Sequence, residues 1–126
     1  MADLQPKKGS DCLRATVSGN AFARSAPVLQ VQYLNKRSEY HVLAVGTNTL
    51  GRMPDNDIVV LGPFVSRQHC AFIVSPNGHC FIRDLGSTHG VNVNGKRITD
   101  LTPLKYGDEI VVGGPRLVLL SPEEGA

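Results

Sequence analysis

Three short segments set in β-rich sequence indicate both the fold and the site: Gly51-Arg52, Ser66-Arg67-Gln68-His69 and Asp84-Leu85-Gly86-Ser87-Thr88-His89-Gly90. Arginine supplies a planar set of N–H donors that matches phosphate oxygens in pairs. Serine and threonine hydroxyls add neutral donors, and glycine lets backbone N–H groups point towards an anion. The segments therefore predict a small pocket that holds a phosphate group.

The composition is that of one globular domain. The chain has 126 residues, of which 41% are hydrophobic, and a chain of this length buries about two-thirds of its unfolded surface. A net charge of +2 lacks the basic excess typical of nucleic-acid-binding domains. No run approaches the roughly 20 apolar residues of a membrane span. The odd cysteine count of 3 favours free thiols and an intracellular protein, in the cytoplasm or the nucleus.

Short apolar runs separated by turn residues predict an all-β fold. Residues 1–26 show no apolar period and predict a flexible arm, residues 27–121 form the folded domain, and residues 122–126 are a tail. Pro76-Asn77-Gly78 and Asn94-Gly95 are typical of hairpin turns. We therefore expect an antiparallel β-sandwich of about eleven short strands. Nine runs can be placed from the sequence: 28–33, 40–45, 49–52, 58–60, 69–74, 80–84, 91–94, 110–112 and 117–120.

The order and spacing of these segments resemble the forkhead-associated (FHA) family. The motifs are Gly51-Arg52, then Ser66-Arg67-x-His69, then Gly86-Ser87-Thr88-x-Gly90, and the resemblance extends from about residue 28 to residue 120. Further positions agree with the family: Pro54, Asn56-Asp57-Ile58, Val65, Val93-Asn94-Gly95 and Gly107-Asp108. The resemblance implies an antiparallel β-sandwich that binds phosphothreonine of partner proteins through loops at one end.

The resemblance also implies roles for individual residues. Arg52 and Ser66 hold the phosphate with Arg67 beside them, while Thr88 shapes a niche for the threonine methyl group and the peptide backbone. The family commonly has Asn after this threonine, whereas this chain has His89, whose neutral ring offers the peptide one donor and one acceptor. Four residues support the site: Gly51, His69, Gly86 and Gly90.

Other interpretations of the same residues stay open. Arg52 is also consistent with a surface arginine paired with Asp55 or Asp57, and Arg67 with a side chain that points to solvent. Phe64 lies close before Ser66 in the sequence. It either selects an apolar residue near position +3 of the peptide or caps the core.

Two resemblances to catalytic motifs are rejected. The sequence Gly90-x4-Gly95-Lys96 is close to a P-loop, but Arg97 stands where Ser or Thr is needed for magnesium and no helix is predicted after it. The serine of Gly86-Ser87-x-x-Gly90 is misplaced for a nucleophile elbow. We therefore expect neither an enzyme nor a cofactor.

Two His-Cys pairs, His69-Cys70 and His79-Cys80, raise the possibility of a metal site. A hairpin loop with an even number of residues between them would place the two cysteines on opposite faces of the sheet, whereas an odd number would not. We favour two core cysteines and no metal site.

The sequence therefore predicts a module that binds threonine-phosphorylated proteins, with no nucleic acid and no membrane as partner. A phosphate-independent scaffold with the same fold is the alternative. Thr16 in the arm adds one further hypothesis, in which its phosphorylated form docks into a second copy or into its own domain.

Overall fold

The computed structural model describes residues 26–122, and within this range the chain forms eleven β-strands. Their bounds are β1 Val28–Gln32, β2 Ser38–Val42, β3 Gly46–Gly51, β4 Ile58–Val59, β5 Cys70–Val74, β6 Cys80–Asp84, β7 Val91–Val93, β8 Lys96–Arg97, β9 Thr102–Leu104, β10 Glu109–Val112 and β11 Arg116–Leu120. The arm, including Cys12 and Thr16, and residues 123–126 lie outside the described residues. The predicted domain bounds therefore stay predictions.

The strands form two sheets that pack face to face. One sheet has the order β9-β6-β5-β3-β4 and the other the order β2-β1-β11-β10-β7-β8. Alternate residues of each strand point into the space between the sheets, so that Leu117 and Leu119 are buried while Arg116 is exposed. Phe72 is fully buried and belongs to the core cluster to which both sheets contribute. The predicted all-β sandwich is confirmed.

Three details of the sheets differ from the prediction. The short strand β4 pairs with β3 in parallel, with Leu50 opposite Ile58, so the sandwich is not wholly antiparallel. Two strands, β8 and β9, were not placed from the sequence. They form edges of the two sheets, where strands are short and proline is tolerated.

The hairpin between β5 and β6 changes one step of the argument against a metal site. Val74 pairs with Cys80, which leaves five loop residues, 75–79, an odd number. Cys70 and Cys80 therefore face the same side of the sheet, and both are buried. Cys80 is opposite Val74, four residues along β5 from Cys70, which separates the two thiols by about 14 Å. Among residues 26–122 no group of three or more His, Cys, Asp or Glu is arranged to hold a metal ion.

The hairpin between β7 and β8 follows its prediction closely. Asn94 and Gly95 both have positive φ, 51° and 85°, as a two-residue type I′ turn requires. The side chain of Asn94 also donates to Asp108 and accepts from the backbone N–H of Glu109, both at 3.0 Å. The turn is thereby tied to the start of β10. In the described range no helix is long and apolar enough to cross a membrane.

We expect the thiols of Cys70 and Cys80 to be unreactive in the folded protein. Burial raises the pKa of Cys80 to about 12 and raises that of Cys70 as well, so little of the reactive thiolate exists at pH 8. In a Cys12→Ser variant, mass spectrometry after treatment with iodoacetamide at pH 8 should detect no alkylation in buffer and two modified residues in concentrated guanidinium chloride. Rapid alkylation of either thiol in buffer would contradict the packing described here.

Candidate functional site

Three loops meet at one end of the sandwich and enclose an open cleft. They are the segments 52–57 between β3 and β4, 60–69 between β4 and β5, and 85–90 between β6 and β7. The cleft has a volume of about 640 Å³ and is lined by Arg52, Met53, Asp55, Ser66, Arg67, Gln68, Leu85, Gly86 and Thr88. Four of the five residues predicted to contact a phosphopeptide line this cleft.

Hydrogen bonds from the backbone and from Nε hold Arg52 in place. Its backbone N–H donates to the carbonyl of Ser66 and its Nε donates to the carbonyl of Val65, both at 3.0 Å. Within the described residues the terminal Nη groups have no hydrogen-bond acceptor. They therefore remain available at the cleft to bind the oxygens of an anion.

Neither arginine of the cleft is ion-paired with a carboxylate of residues 26–122, although Asp55 also lines the cleft. No ion pair within 4.0 Å joins Arg52 or Arg67 to Asp or Glu in that range. Asp57 instead accepts hydrogen bonds from the backbone N–H and the hydroxyl of Thr49, at 2.9 and 3.2 Å. The alternative of a surface arginine paired with Asp55 or Asp57 is thus not what the structure shows.

Ser66 connects two of the three loops. Its Oγ accepts a hydrogen bond from the backbone N–H of Thr88 at 3.1 Å, and because the oxygen acts there as acceptor, its own proton is free to be donated. Its backbone N–H donates to Nδ1 of His69 at 3.0 Å. The hydroxyl is therefore held at a fixed position between its own loop, which also carries Arg67, and the loop of Thr88.

His69 is fully buried and joins the loops from below the cleft. The N–H of Ser66 can only donate, so Nδ1 carries no proton, and Nε2 donates to the carbonyl of Gly90 at 2.8 Å. This assigns a neutral ring with the proton on Nε2. Both ring nitrogens are occupied, so His69 positions the loops and has no nitrogen left to act as a base.

The loop of residues 85–90 is shaped by Asp84, a role that the sequence analysis missed. Its Oδ1 accepts hydrogen bonds from the backbone N–H groups of Gly86 at 3.0 Å and Ser87 at 2.8 Å. An Asp two residues before Gly is a common start of such a turn and could have indicated this role. The Ser87 hydroxyl in turn accepts from the N–H of Gly90.

Gly51 permits the close approach of the first two loops. A Cβ atom at this position would overlap the carbonyl oxygen of Arg67. That oxygen accepts a 2.7 Å hydrogen bond from Nδ2 of Asn56, a second support that was not predicted. Asn56 is buried and also donates to the carbonyl of Met53 at 2.9 Å. The loops that carry Arg52 and Arg67 are consequently held together by backbone and buried amide contacts.

His89 and Phe64, for which the sequence suggested contacts to the peptide, are not among the residues that line the cleft, and both are exposed. Their rings contact each other with centroids 4.9 Å apart and planes tilted by 59°. Phe64 is 54% exposed, so it does not cap the core, and the two rings form an aromatic contact between the second and third loops.

The comparisons with known proteins agree with this arrangement. The family model described as the FHA domain matches residues 48–113. The oxoglutarate dehydrogenase inhibitor of Corynebacterium efficiens is 35% identical over 107 residues, which are 85% of this chain and 73% of that protein. The chain therefore belongs to the FHA domain family.

Solved structures extend the similarity to the fold. The FHA domain of the CT664 protein from Chlamydia trachomatis superposes with a TM-score of 0.72 at 28% identity, over 76% of this chain and 97% of that chain. EmbR of Mycobacterium tuberculosis, solved in complex with a low-affinity phosphopeptide, gives a TM-score of 0.63 at 28% identity, over 75% of this chain and 24% of that chain. Two other curated relatives are longer than the region they share with this chain, since the matched residues cover 9% of the length of one and 46% of the length of the other.

We expect His69→Ala to destabilise the domain by about 3 kcal/mol, because it leaves a cavity and removes the partners of the partly buried Ser66 N–H and the buried Gly90 carbonyl. Urea denaturation followed by circular dichroism measures the loss. The matched control is His79→Ala, since the side chain of His79 is exposed and should change the free energy of unfolding by less than about 0.5 kcal/mol. Equal denaturation midpoints for the two variants would show that the hydrogen bonds of His69 to Ser66 and Gly90 do not stabilise the domain.

Proposed function

We propose that this FHA domain binds phosphothreonine-containing segments of partner proteins in the cleft between the three loops. One observation carries the assignment of the cleft. Arg52 and Arg67 reach it without a carboxylate partner among residues 26–122, beside a hydroxyl whose proton is free. The phosphopeptide bound to the related EmbR supports the same class of ligand.

In this proposal Arg52 and Ser66 bind the phosphate and Arg67 adds a second guanidinium. A phosphorylated threonine carries a charge of about −1.5 to −2 near neutral pH and three strong acceptor oxygens. The Nη groups of Arg52 match two of those oxygens, and the Ser66 hydroxyl donates to the remaining one. The unmodified threonine offers no charge to these donors, so phosphorylation by a kinase switches binding on.

Thr88 is proposed to contact the threonine methyl group and the peptide backbone. It lines the cleft together with Met53 and Leu85, and these two side chains add apolar surface beside the phosphate position. His89 is proposed to contact the peptide outside the cleft, where its ring lies against Phe64. Gly51, His69, Gly86 and Gly90 keep the loops in place.

Binding without catalysis is the proposed chemistry. Phosphate transfer or hydrolysis needs a positioned base or nucleophile, and the buried histidine beneath the cleft has both nitrogens in use. The alternative of a phosphate-independent scaffold makes a different prediction, because it binds phosphorylated and unphosphorylated partners equally. Pulldown with a matched pair of peptides separates the two. An intracellular location, the absence of nucleic-acid partners and self-association through phosphorylated Thr16 stay predictions.

We expect Arg52→Ala to abolish phosphopeptide binding without unfolding the domain. Removal of one member of a charge pair that is desolvated on binding costs about 2–5 kcal/mol, which weakens binding at least about thirtyfold. A peptide selected from a degenerate library with a central phosphothreonine serves as the ligand, and isothermal titration calorimetry measures its affinity.

The matched control for this variant is Lys105→Ala, which removes the same charge at the other end of the sandwich. Lys105 follows Leu104, which pairs with Cys80 at the end of β6 remote from Asp84. This variant should bind the peptide within about twofold of the wild type, since the charge is separated from the cleft by more than a Debye length. Near-normal affinity of Arg52→Ala would refute the assignment of the phosphate site.

We expect phosphothreonine to bind about fourfold more tightly than phosphoserine in the same peptide. The difference is one methyl group, whose burial is worth about 0.8 kcal/mol. Calorimetry with the two peptides measures the ratio, and the Thr88→Ser variant, which loses only a methyl group from the proposed niche, should reduce it. Equal affinities of the wild type for both peptides would remove the niche from the proposal.

A further inference from the structure

Arg97 belongs to β8, but its side chain lies against the loop of residues 85–90. A Cβ atom built on Gly90 would be 2.7 Å from both Cζ and Nε of Arg97 and 2.9 Å from Nη2. These nearly equal distances place the flat face of the guanidinium over the Cα atom of Gly90. The φ of +81° at Gly90 favours glycine, and the absence of a side chain there lets the guanidinium approach this closely.

The contact uses the face of the guanidinium and leaves its edge unused. Arg97 is exposed, and within the described residues its N–H groups form no hydrogen bond or ion pair with the protein. Packing on Gly90 thus orients the N–H groups without occupying them. A guanidinium that is positioned but has no protein acceptor in residues 26–122 is suited to bind an anion from outside.

The position of Arg97 relates it to the phosphate cleft without making it part of that cleft. It does not line the cleft, yet Gly90 follows Thr88 by two residues. The carbonyl of Gly90 is also bound by His69, which in turn accepts from the N–H of Ser66. Because Gly90 is joined to the loop of Ser66 in this way, we expect residues that flank a phosphate bound at Ser66 and Thr88 to pass near Arg97.

We propose that Arg97 is a specificity-determining residue that binds a second anionic group of the phosphopeptide. The group is either a carboxylate side chain or a second phosphate, at a position that follows the course of the 85–90 loop. This proposal rests on the proposed function, because it requires a peptide in the cleft. It assigns sequence preference to a residue outside the FHA motifs that indicated the site.

The exposure of Arg97 limits the expected gain in peptide affinity. An exposed ion pair contributes modestly, so a carboxylate at the right position should raise the affinity about three- to fivefold. A second phosphate should raise it further, because its charge near neutral pH is larger and its oxygens match both edge nitrogens of the guanidinium. Both gains should shrink as the salt concentration rises.

The test compares two sets of peptides with one reference. The reference is the library-selected phosphothreonine peptide with every Asp and Glu replaced by Ala. One set introduces a single Glu, and the other a single phosphoserine, at each position from −4 to −1 and from +1 to +4. Calorimetry on the wild type should find a gain at one or two adjacent positions. Arg97→Gln should lose that gain and bind the reference peptide within about twofold of the wild type, and Arg97→Lys should keep part of it.

The matched control is Lys96→Gln, which removes the same charge from the neighbouring residue on the opposite face of β8. It should keep the gain, and thermal denaturation should show that all three variants are folded. The proposal is overturned if no acidic residue or second phosphate improves wild-type binding, or if Arg97→Gln keeps the gain. Equal weakening of every peptide, the reference included, assigns Arg97 a structural role only. Equal binding of phosphorylated and unphosphorylated reference peptides by the wild type overturns the proposed function itself.

Discussion

The arrangement of the three loops depends on one buried imidazole. His69 accepts a hydrogen bond from the backbone of Ser66 and donates one to the backbone of Gly90, and these two residues belong to different loops. Its own backbone N–H is bound by the carbonyl of Leu50, and its carbonyl accepts from Leu85. A single residue thus connects the ends of β3 and β6 to the start of β7. No aliphatic side chain could replace it, because the bridge needs a donor and an acceptor on opposite sides of one rigid ring.

Around this bridge the site consists largely of backbone groups in close contact. The carbonyl of Arg67 lies where a side chain on Gly51 would be, and the guanidinium of Arg97 lies where one on Gly90 would be. Glycine is needed at position 51 for lack of space, because backbone fills it, whereas at position 90 the positive φ of 81° favours glycine. The side chains proposed to bind phosphate, Arg52 and Ser66, then project from segments that cannot shift independently. The proposed phosphate donors and the backbone that supports them are parts of one packed unit.

The sequence predicted the sandwich and the meeting of Arg52, Ser66 and Thr88 because turn residues and motif order are local features. It did not predict β8, whose two residues are charged and exposed, or the parallel pairing of β3 with β4. The support of the loops by Asn56 and the stacking of Arg97 on Gly90 were also missed. Both depend on how the loops and the β7–β8 hairpin fold back on each other, which spacing alone does not reveal. The argument about Cys70 and Cys80 turned on the length of one loop, which the turn motif Pro76-Asn77-Gly78 leaves open.

The parallel pairing of β3 with β4 has a consequence for the entropy of recognition. It requires residues 52–57 to loop back so that β4 runs beside β3 in the same direction, and Asn56 donates two hydrogen bonds to carbonyls within this connection. The segment that carries Arg52 is therefore a closed, internally bonded loop before any ligand arrives. Conformational freedom is lost when the domain folds and not when it meets a partner, so little ordering opposes association. Association at such a rigid surface needs no slow conformational step, so differences in affinity between partners should arise mainly from the rate of release.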